Sequence, residues 1–289
     1  MLVVGASSGI GRATALKLAA HGDRLALVSR SAEALAAVAA DCRAAGAGEV
    51  LVRTADVGVE REITDTVREL ESELGGLDAV VHTATVMGYG SVEDMPADVF
   101  TTVVDTAVHG TLYLARAVLP GFRQRGRGVL VIVNSLLGSV TVPNMGAYAT
   151  AKWGQRAIAR TLQQEVQDAR DIHVCIVSPG STNTPIYYQG ANYTGRDARP
   201  PVPVLQPERT AGSIVGLLDR PRNHVSIPVG PPNPIVIAGF RFLPFVYDRL
   251  VGPLFKLAAL TNKSQPDTTG NVHGPTAGAE RVSGRWPQR

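Results

Sequence analysis

The order strand, glycine turn, helix within the first twenty residues constrains this chain more than any other feature. Met1-Leu2-Val3-Val4 is an apolar run with the character of a buried strand. Gly5, Gly9 and Gly11 follow at Gly-x-x-x-Gly-x-Gly spacing, and residues 13–20 continue as a helix with Ile10, Leu16 and Leu18 as its buried positions. Glycines permit close backbone approach, and a helix N-terminus offers unpaired N–H groups and a positive dipole end to an anion. The alternation then repeats. Strands are predicted at 25–29, 50–53, 79–82, 129–134, 173–177 and 225–229. Helices are predicted at 32–45, 61–74, 99–119 (broken by Pro120), 147–167 and 207–218. Regular alternation of this kind specifies a doubly wound α/β fold, a parallel sheet covered on both faces with right-handed crossovers. Ligands of such sheets bind beyond the carboxyl ends of the strands. Gly5, Ser29, Asp56, Ala84, Ser135 and Pro179 all fall just past predicted strand ends, on one rim.

A second constellation carries chemistry. Tyr148 and Lys152 stand four residues apart and so share a helix face. Ser135 lies thirteen residues before the tyrosine. A phenol is almost fully protonated at neutral pH, and a nearby cation favours its ionised form. Tyr148 can then give a proton to a carbonyl or take one from an alcohol, while the Ser135 hydroxyl holds the substrate oxygen. A tyrosine–lysine pair alone is weak evidence. Its weight comes from the glycine turn that precedes it.

Glycine turn, serine, tyrosine and lysine, in this order and at these spacings, resemble the short-chain dehydrogenase/reductase family over about residues 1–229. The resemblance implies a Rossmann-type domain over residues 1–230 and Ser135, Tyr148 and Lys152 as catalytic residues. It also implies a nicotinamide dinucleotide bound by Gly5, Ser7, Ser8, Gly9, Ile10 and Gly11. Asp56 and Val57 then stand at the adenine, Ala84 at the border of the cofactor, and Pro179, Gly180, Thr182 and Thr184 at the nicotinamide carboxamide. Lys152 also holds the nicotinamide ribose, next to Tyr148. At the end of the second strand the family's NAD enzymes place an acid; here stand Ser29 and Arg30. A hydroxyl and a guanidinium suit a phosphate, with Arg12 within reach, so NADP(H) is expected over NAD(H).

Three positions depart from the family pattern. The loop opens Val4-Gly5 rather than Thr-Gly. The Asn-Asn-Ala-Gly segment is His82-Thr83-Ala84-Thr85. The asparagine that helps hold a proton-relay water falls on Ala107, whose side chain cannot hydrogen-bond. Thr106 and His109 are the neighbours considered as substitutes. These departures motivate an alternative, a dinucleotide-binding protein without efficient catalysis, such as a redox sensor or scaffold. The intact Ser135, Tyr148 and Lys152 weigh against it.

Net charge is +3, from 28 basic and 25 acidic residues, and Arg123–Arg127 reads as a solvated loop, so no nucleic-acid partner is expected. Two distant cysteines, Cys42 and Cys175, make no disulfide framework, and the six histidines show no metal spacing. His82 and His109 read as parts of the fold. No secretory signal is read at the N-terminus, and a cytoplasmic location is expected. Residues 185–206 lack periodicity and are either a substrate lid, with Ile186, Tyr187, Tyr188 and Tyr193 as walls, or a surface loop. Residues 231–261 form an apolar extension carrying Arg241, Asp248, Arg249 and Lys256 near one face, read as one or two amphipathic helices. The extension has three possible uses: capping a hydrophobic small-molecule substrate, contacting another subunit of a homo-oligomer, or resting on a membrane surface through residues 235–260. Oligomer packing is favoured. Residues 262–289 are expected to lack fixed structure.

Overall fold

A computed structural model describes residues 1–223, 226–230, 232–276, 278 and 280–286. The chain runs β1 (Leu2–Val4), α1 (Gly9–Ala20), β2 (Arg24–Ser29), α2 (Ala32–Ala44), β3 (Glu49–Thr54), α3 (Glu60–Leu74), β4 (Ala79–His82), β5 (Gly88–Tyr89) and α4 (Ala97–Arg125). It continues through β6 (Gly128–Val133), α5 (Gly146–Glu165), β7 (Ile172–Pro179), α6 (Ile186–Gln189), β8 (Ala191–Asn192), β9 (Arg196–Ala198), α7 (Pro207–Asp219) and β10 (Ser226–Val229). It ends with α8 (Asn233–Phe242), α9 (Pro244–Ala259) and β11 (Leu260–Ser264). Residue 225, at the predicted start of the last strand, lies outside the described residues.

Seven parallel strands form the central sheet in the order β10-β7-β6-β4-β1-β2-β3. The inner strands are buried on both faces because they are apolar at consecutive positions, whereas the edge strand β3 is buried only at Val50. Side chains alternate sides along a strand, so Leu2 and Val4 join Leu70, Leu114 and Phe122 in one core layer. Val3 joins Leu18, Leu35 and Val38 in the other. The strand order reverses between β4 and β1, and at such a switch point a crevice opens above the strand ends. Smaller pairs flank the sheet: β5 with β8, and β9 with β11.

The predicted break at Pro120 does not occur. Helix α4 runs through it to Arg125 and ends on Gly126 in the left-handed conformation. Proline deprives the carbonyl four residues earlier of its partner. That residue, Arg116, lies with Pro120 on the exposed side of the helix, where water can take the bond. The apolar extension forms two helices, α8 and α9. Among the described residues no helix is long and apolar enough to cross a membrane. The stretch expected to lack structure behaves differently from that expectation. Its described residues lead back over the domain through β11, a bridge between Asn192 and Thr268, and an Asn271 N–H donated to the Gln189 carbonyl at 2.7 Å.

Candidate active site

The glycine turn closes by backbone contact. Gly5 has φ +86°, a left-handed conformation that glycine adopts without strain. A Cβ at Gly11 would collide with the Gly5 carbonyl and lie 2.5 Å from Thr83 Oγ1. Thr83 is the clasp: its hydroxyl donates to the carbonyls of Val4 at 2.8 Å and Gly5 at 3.1 Å, and its N–H donates to Val4 at 2.8 Å. The altered His82–Thr85 segment therefore ties β4 to the turn after β1. His82 itself is buried, and burial, with the Lys152 charge second, pushes its imidazole down to about 3, so it is neutral at physiological pH.

Above the switch point lies a cleft of about 410 Å³. Every residue that the sequence analysis assigned to the cofactor lines it. The glycine turn, Ser29 and Arg30, Asp56 and Val57, Ala84, and the segment Pro179–Thr184 meet there, as do Ser135, Tyr148 and Lys152. The far end of the cleft is apolar. Met87, Tyr89, Met145, Tyr148 and Phe255 form one buried cluster, with Ile186 and Tyr187 packed on it. Val236 and Tyr247 from α8 and α9 also face the cleft, and the Tyr247 hydroxyl donates to the Thr141 carbonyl at 2.8 Å. The long segment 185–206 is ordered by α6, β8 and β9, and the extension caps the cleft with one side of its helices.

The three chemical residues converge. Ser135 follows the end of β6, and its Oγ accepts from the Leu137 N–H at 3.2 Å. Tyr148 and Lys152 sit in the first two turns of α5. Burial pushes the Tyr148 phenol well up, Tyr187 adds to that, and the neighbouring Ser135 hydroxyl opposes it. Lys152 is fully buried, with Nζ 5.7 Å from the Tyr148 ring centroid. Burial lowers its ammonium to about 7. The sequence leads one to expect that the lysine lowers the phenol's pKa; in the structure burial is the first influence on both groups and raises that of Tyr148.

Two further residues complete the Lys152 environment. Its ammonium donates to the Val133 carbonyl at 3.2 Å and to Gln155 Oε1 at 2.9 Å. Gln155 Nε2 donates to Thr111 Oγ1 at 3.0 Å, and the Thr111 hydroxyl donates to the Ala107 carbonyl at 2.7 Å. Asn134 Nδ2 donates to the same Gln155 oxygen at 3.1 Å. A hydrogen-bonded line thus joins Lys152 to the position where the family asparagine is missing. Thr106 and His109 do not serve there: Thr106 bonds Thr102 at 2.8 Å, and His109 pairs with Asp105 at 2.8 Å on the exposed side. Gln155, three residues after the lysine, reads in sequence as one more polar residue of a helix, so periodicity gave no signal for it.

Both cysteines are buried and free. Among the described residues no group of three or more His, Cys, Asp or Glu is arranged to hold a metal. The donor set of the cleft fits a dinucleotide: backbone N–H groups at the start of α1, hydroxyls at Ser7 and Ser8, and a guanidinium at Arg30 stand at one end, with an apolar chamber at the other.

Fold and cleft together define a doubly wound α/β protein with its ligand site at the topological switch point. The sequence pattern of the short chain dehydrogenase family matches residues 1–191, and the chain belongs to that family of oxidoreductases. It is 31% identical over 229 residues to the glycine betaine reductase ATRR of Emericella nidulans, a match covering 78% of this chain but 18% of that protein's length. It is 30% identical over 221 residues to the dehydrogenase/reductase SDR family member 7B of Bos taurus, covering 71% and 68% of the two chains. Among solved structures, the alcohol dehydrogenase of Thermococcus sibiricus complexed with 5-hydroxy-NADP superposes with a TM-score of 0.67 at 25% identity, covering 79% of this chain and 93% of that one.

Proposed function

We propose that this chain is an NADP(H)-preferring oxidoreductase that interconverts an apolar ketone and its alcohol. The observation that carries the reading is the meeting of Ser135, Tyr148 and Lys152 in one cleft, between a phosphate-type donor set and an apolar chamber. When bound, the nicotinamide supplies or accepts the hydride. The protein does the rest. Tyr148 passes its hydroxyl proton to the carbonyl oxygen in reduction and recovers one from the alcohol in oxidation. Ser135 donates a hydrogen bond that fixes that oxygen. The Lys152 ammonium, beside the ring, favours the phenolate left behind, and Gln155 with Val133 holds the ammonium in place. Through Thr111 the line continues to the Ala107 carbonyl, so Gln155 takes the bridging place that the family gives to asparagine and water. Ser29 and Arg30, in place of an acid, favour a 2′-phosphate on the adenosine ribose.

The wall of Met87, Tyr89, Met145 and Phe255 selects a hydrophobic substrate class. The outer face of α8 and α9 is assigned to a second copy of the chain in the cytoplasm. Phe242, Phe245 and Leu257 are each more than 70% exposed there, and Asp248 stands next to Arg249, a pair of opposite charges that a two-fold axis can match.

The test is turnover of NADPH and NADH against a panel of cyclic and long-chain apolar ketones beside small polar ones. The expected result is oxidation of NADPH with the apolar members. Dinucleotide binding without turnover of any carbonyl would instead support a sensor or scaffold.

A further inference from the structure

The C-terminal segment runs along the cleft from one end to the other. At the nicotinamide end, Gly284 donates its N–H to the Asn183 carbonyl at 3.0 Å, and Trp286 donates to Asn183 Oδ1 at 3.1 Å. The Trp286 ring stands edge-on to Tyr187, centroids 5.6 Å apart. Midway, the Arg281 carbonyl accepts the Gly9 N–H of the glycine turn at 2.8 Å. At the adenosine end, the Glu280 carbonyl accepts from Arg12 Nη1 at 3.2 Å. The Glu280 residue lines the same cleft as Ser7 and Arg30, and its carboxylate lies beside the hydroxyls of Ser7 and Ser31 and in the field of Arg30. The Arg30 guanidinium is turned toward the same segment, donating to the carbonyls of Asn271 at 2.7 Å and Val272 at 3.1 Å.

Ser29 and Arg30, at the end of β2, are the partners expected for the substituent at the ribose 2′ position, and Arg30 here already faces an anion that belongs to the chain. A 2′-phosphate must share or take over those donors and meets a like charge in doing so. A 2′-hydroxyl meets no such repulsion, since a carboxylate accepts its hydrogen bond. We propose that Glu280 is a cofactor-selecting residue, delivered from the far end of the chain, which weakens binding of the 2′-phosphorylated dinucleotide and leaves the unphosphorylated one favoured or unaffected. The inference rests on the dinucleotide reading of the cleft. Wild-type preference for NADP(H) is then the residue of two opposed influences, Arg30 with its serines on one side and Glu280 on the other.

The experiment is fluorescence titration of the full-length wild type, Glu280→Gln and Glu280→Lys with NADPH and, separately, with NADH. Glutamine keeps the size of the side chain and one acceptor oxygen while removing the charge. The expected result is NADPH binding about tenfold tighter in Glu280→Gln and tighter again in Glu280→Lys, with NADH unchanged or weaker in both. Unchanged NADPH binding, or an equal shift for both nucleotides, would overturn the proposal and leave the segment a plain strap over the cleft. Failure of all three proteins to bind either nucleotide would instead bring down the dinucleotide reading, and a wild type and variants that bind NADH alone would bring down the preference for NADP(H).

Discussion

Lys152 carries a buried cationic group, and its proton is held by two neutral oxygens, those of Val133 and Gln155. Its ordinary value of 10.5 falls to about 7 through burial. Below pH 7 the folded and unfolded chains both keep this proton, and the cost of burying the charge is constant. Between about 7 and 10.5 the unfolded chain keeps a proton that the folded chain has released. The Lys152 contribution to stability therefore improves as pH rises through that window. Urea unfolding of wild type and Lys152→Met at pH 7 and pH 9 is expected to show a stability difference that moves toward the wild type at the higher pH. Parallel behaviour at both pH values would mean that the lysine is not held as described. Gln155 belongs to the same scale as a positioning residue. In Gln155→Leu the ammonium loses its 2.9 Å acceptor, so its proton is released at lower pH. The alkaline limb of kcat for ketone reduction is expected to shift to lower pH, with kcat reduced about tenfold. An unmoved pH profile with a merely less stable protein would assign Gln155 to packing alone.

At the scale of elements, the sequence was clearest where one physical pattern decides. The inner strands are buried on both faces and read as continuous apolar runs; β2 is buried at all but its first residue. The glycine turn was legible because positive φ and close approach leave few other residues possible. Pro120 misled because a break depends on whether the orphaned carbonyl reaches water, which local sequence does not state. The Gln155–Thr111 line was hidden because it joins two helices through residues 44 apart in the chain. The outer face of α8 and α9 was legible as amphipathic, whereas its partner was not, since an exposed apolar stripe suits a subunit or a lipid surface equally on hydropathy alone. Phe245→Asp with Leu257→Asp leaves the interior of one subunit untouched. The double variant is expected to unfold at a temperature close to wild type while sedimenting as a smaller species. Unchanged sedimentation together with lost binding to anionic vesicles would give this face to a membrane.

For the whole molecule, the sheet order explains why residues from Gly5 to Asn233 meet in one cleft. Parallel strands deliver every segment that follows a strand to the same rim, and the reversal between β1 and β4 opens that rim. The convergence of the residues expected at the cofactor was legible in the sequence because most of them follow a strand end at a recognisable motif. The apolar wall and the returning C-terminal segment could not. Phe255 and Glu280 reach the cleft through long-range packing, and the composition after residue 262, rich in Ser, Thr, Gly and Pro, looks unstructured until it has a surface to lie on. The central claim concerns the proton carried by one phenol at the centre of this assembly. Tyr148→Phe removes a single oxygen from a buried ring, so parallel measurement of NADPH affinity and ketone turnover in that variant tests it most directly. The account predicts affinity within about twofold of wild type and turnover reduced by at least about a hundredfold; turnover persisting near the wild-type rate would contradict it.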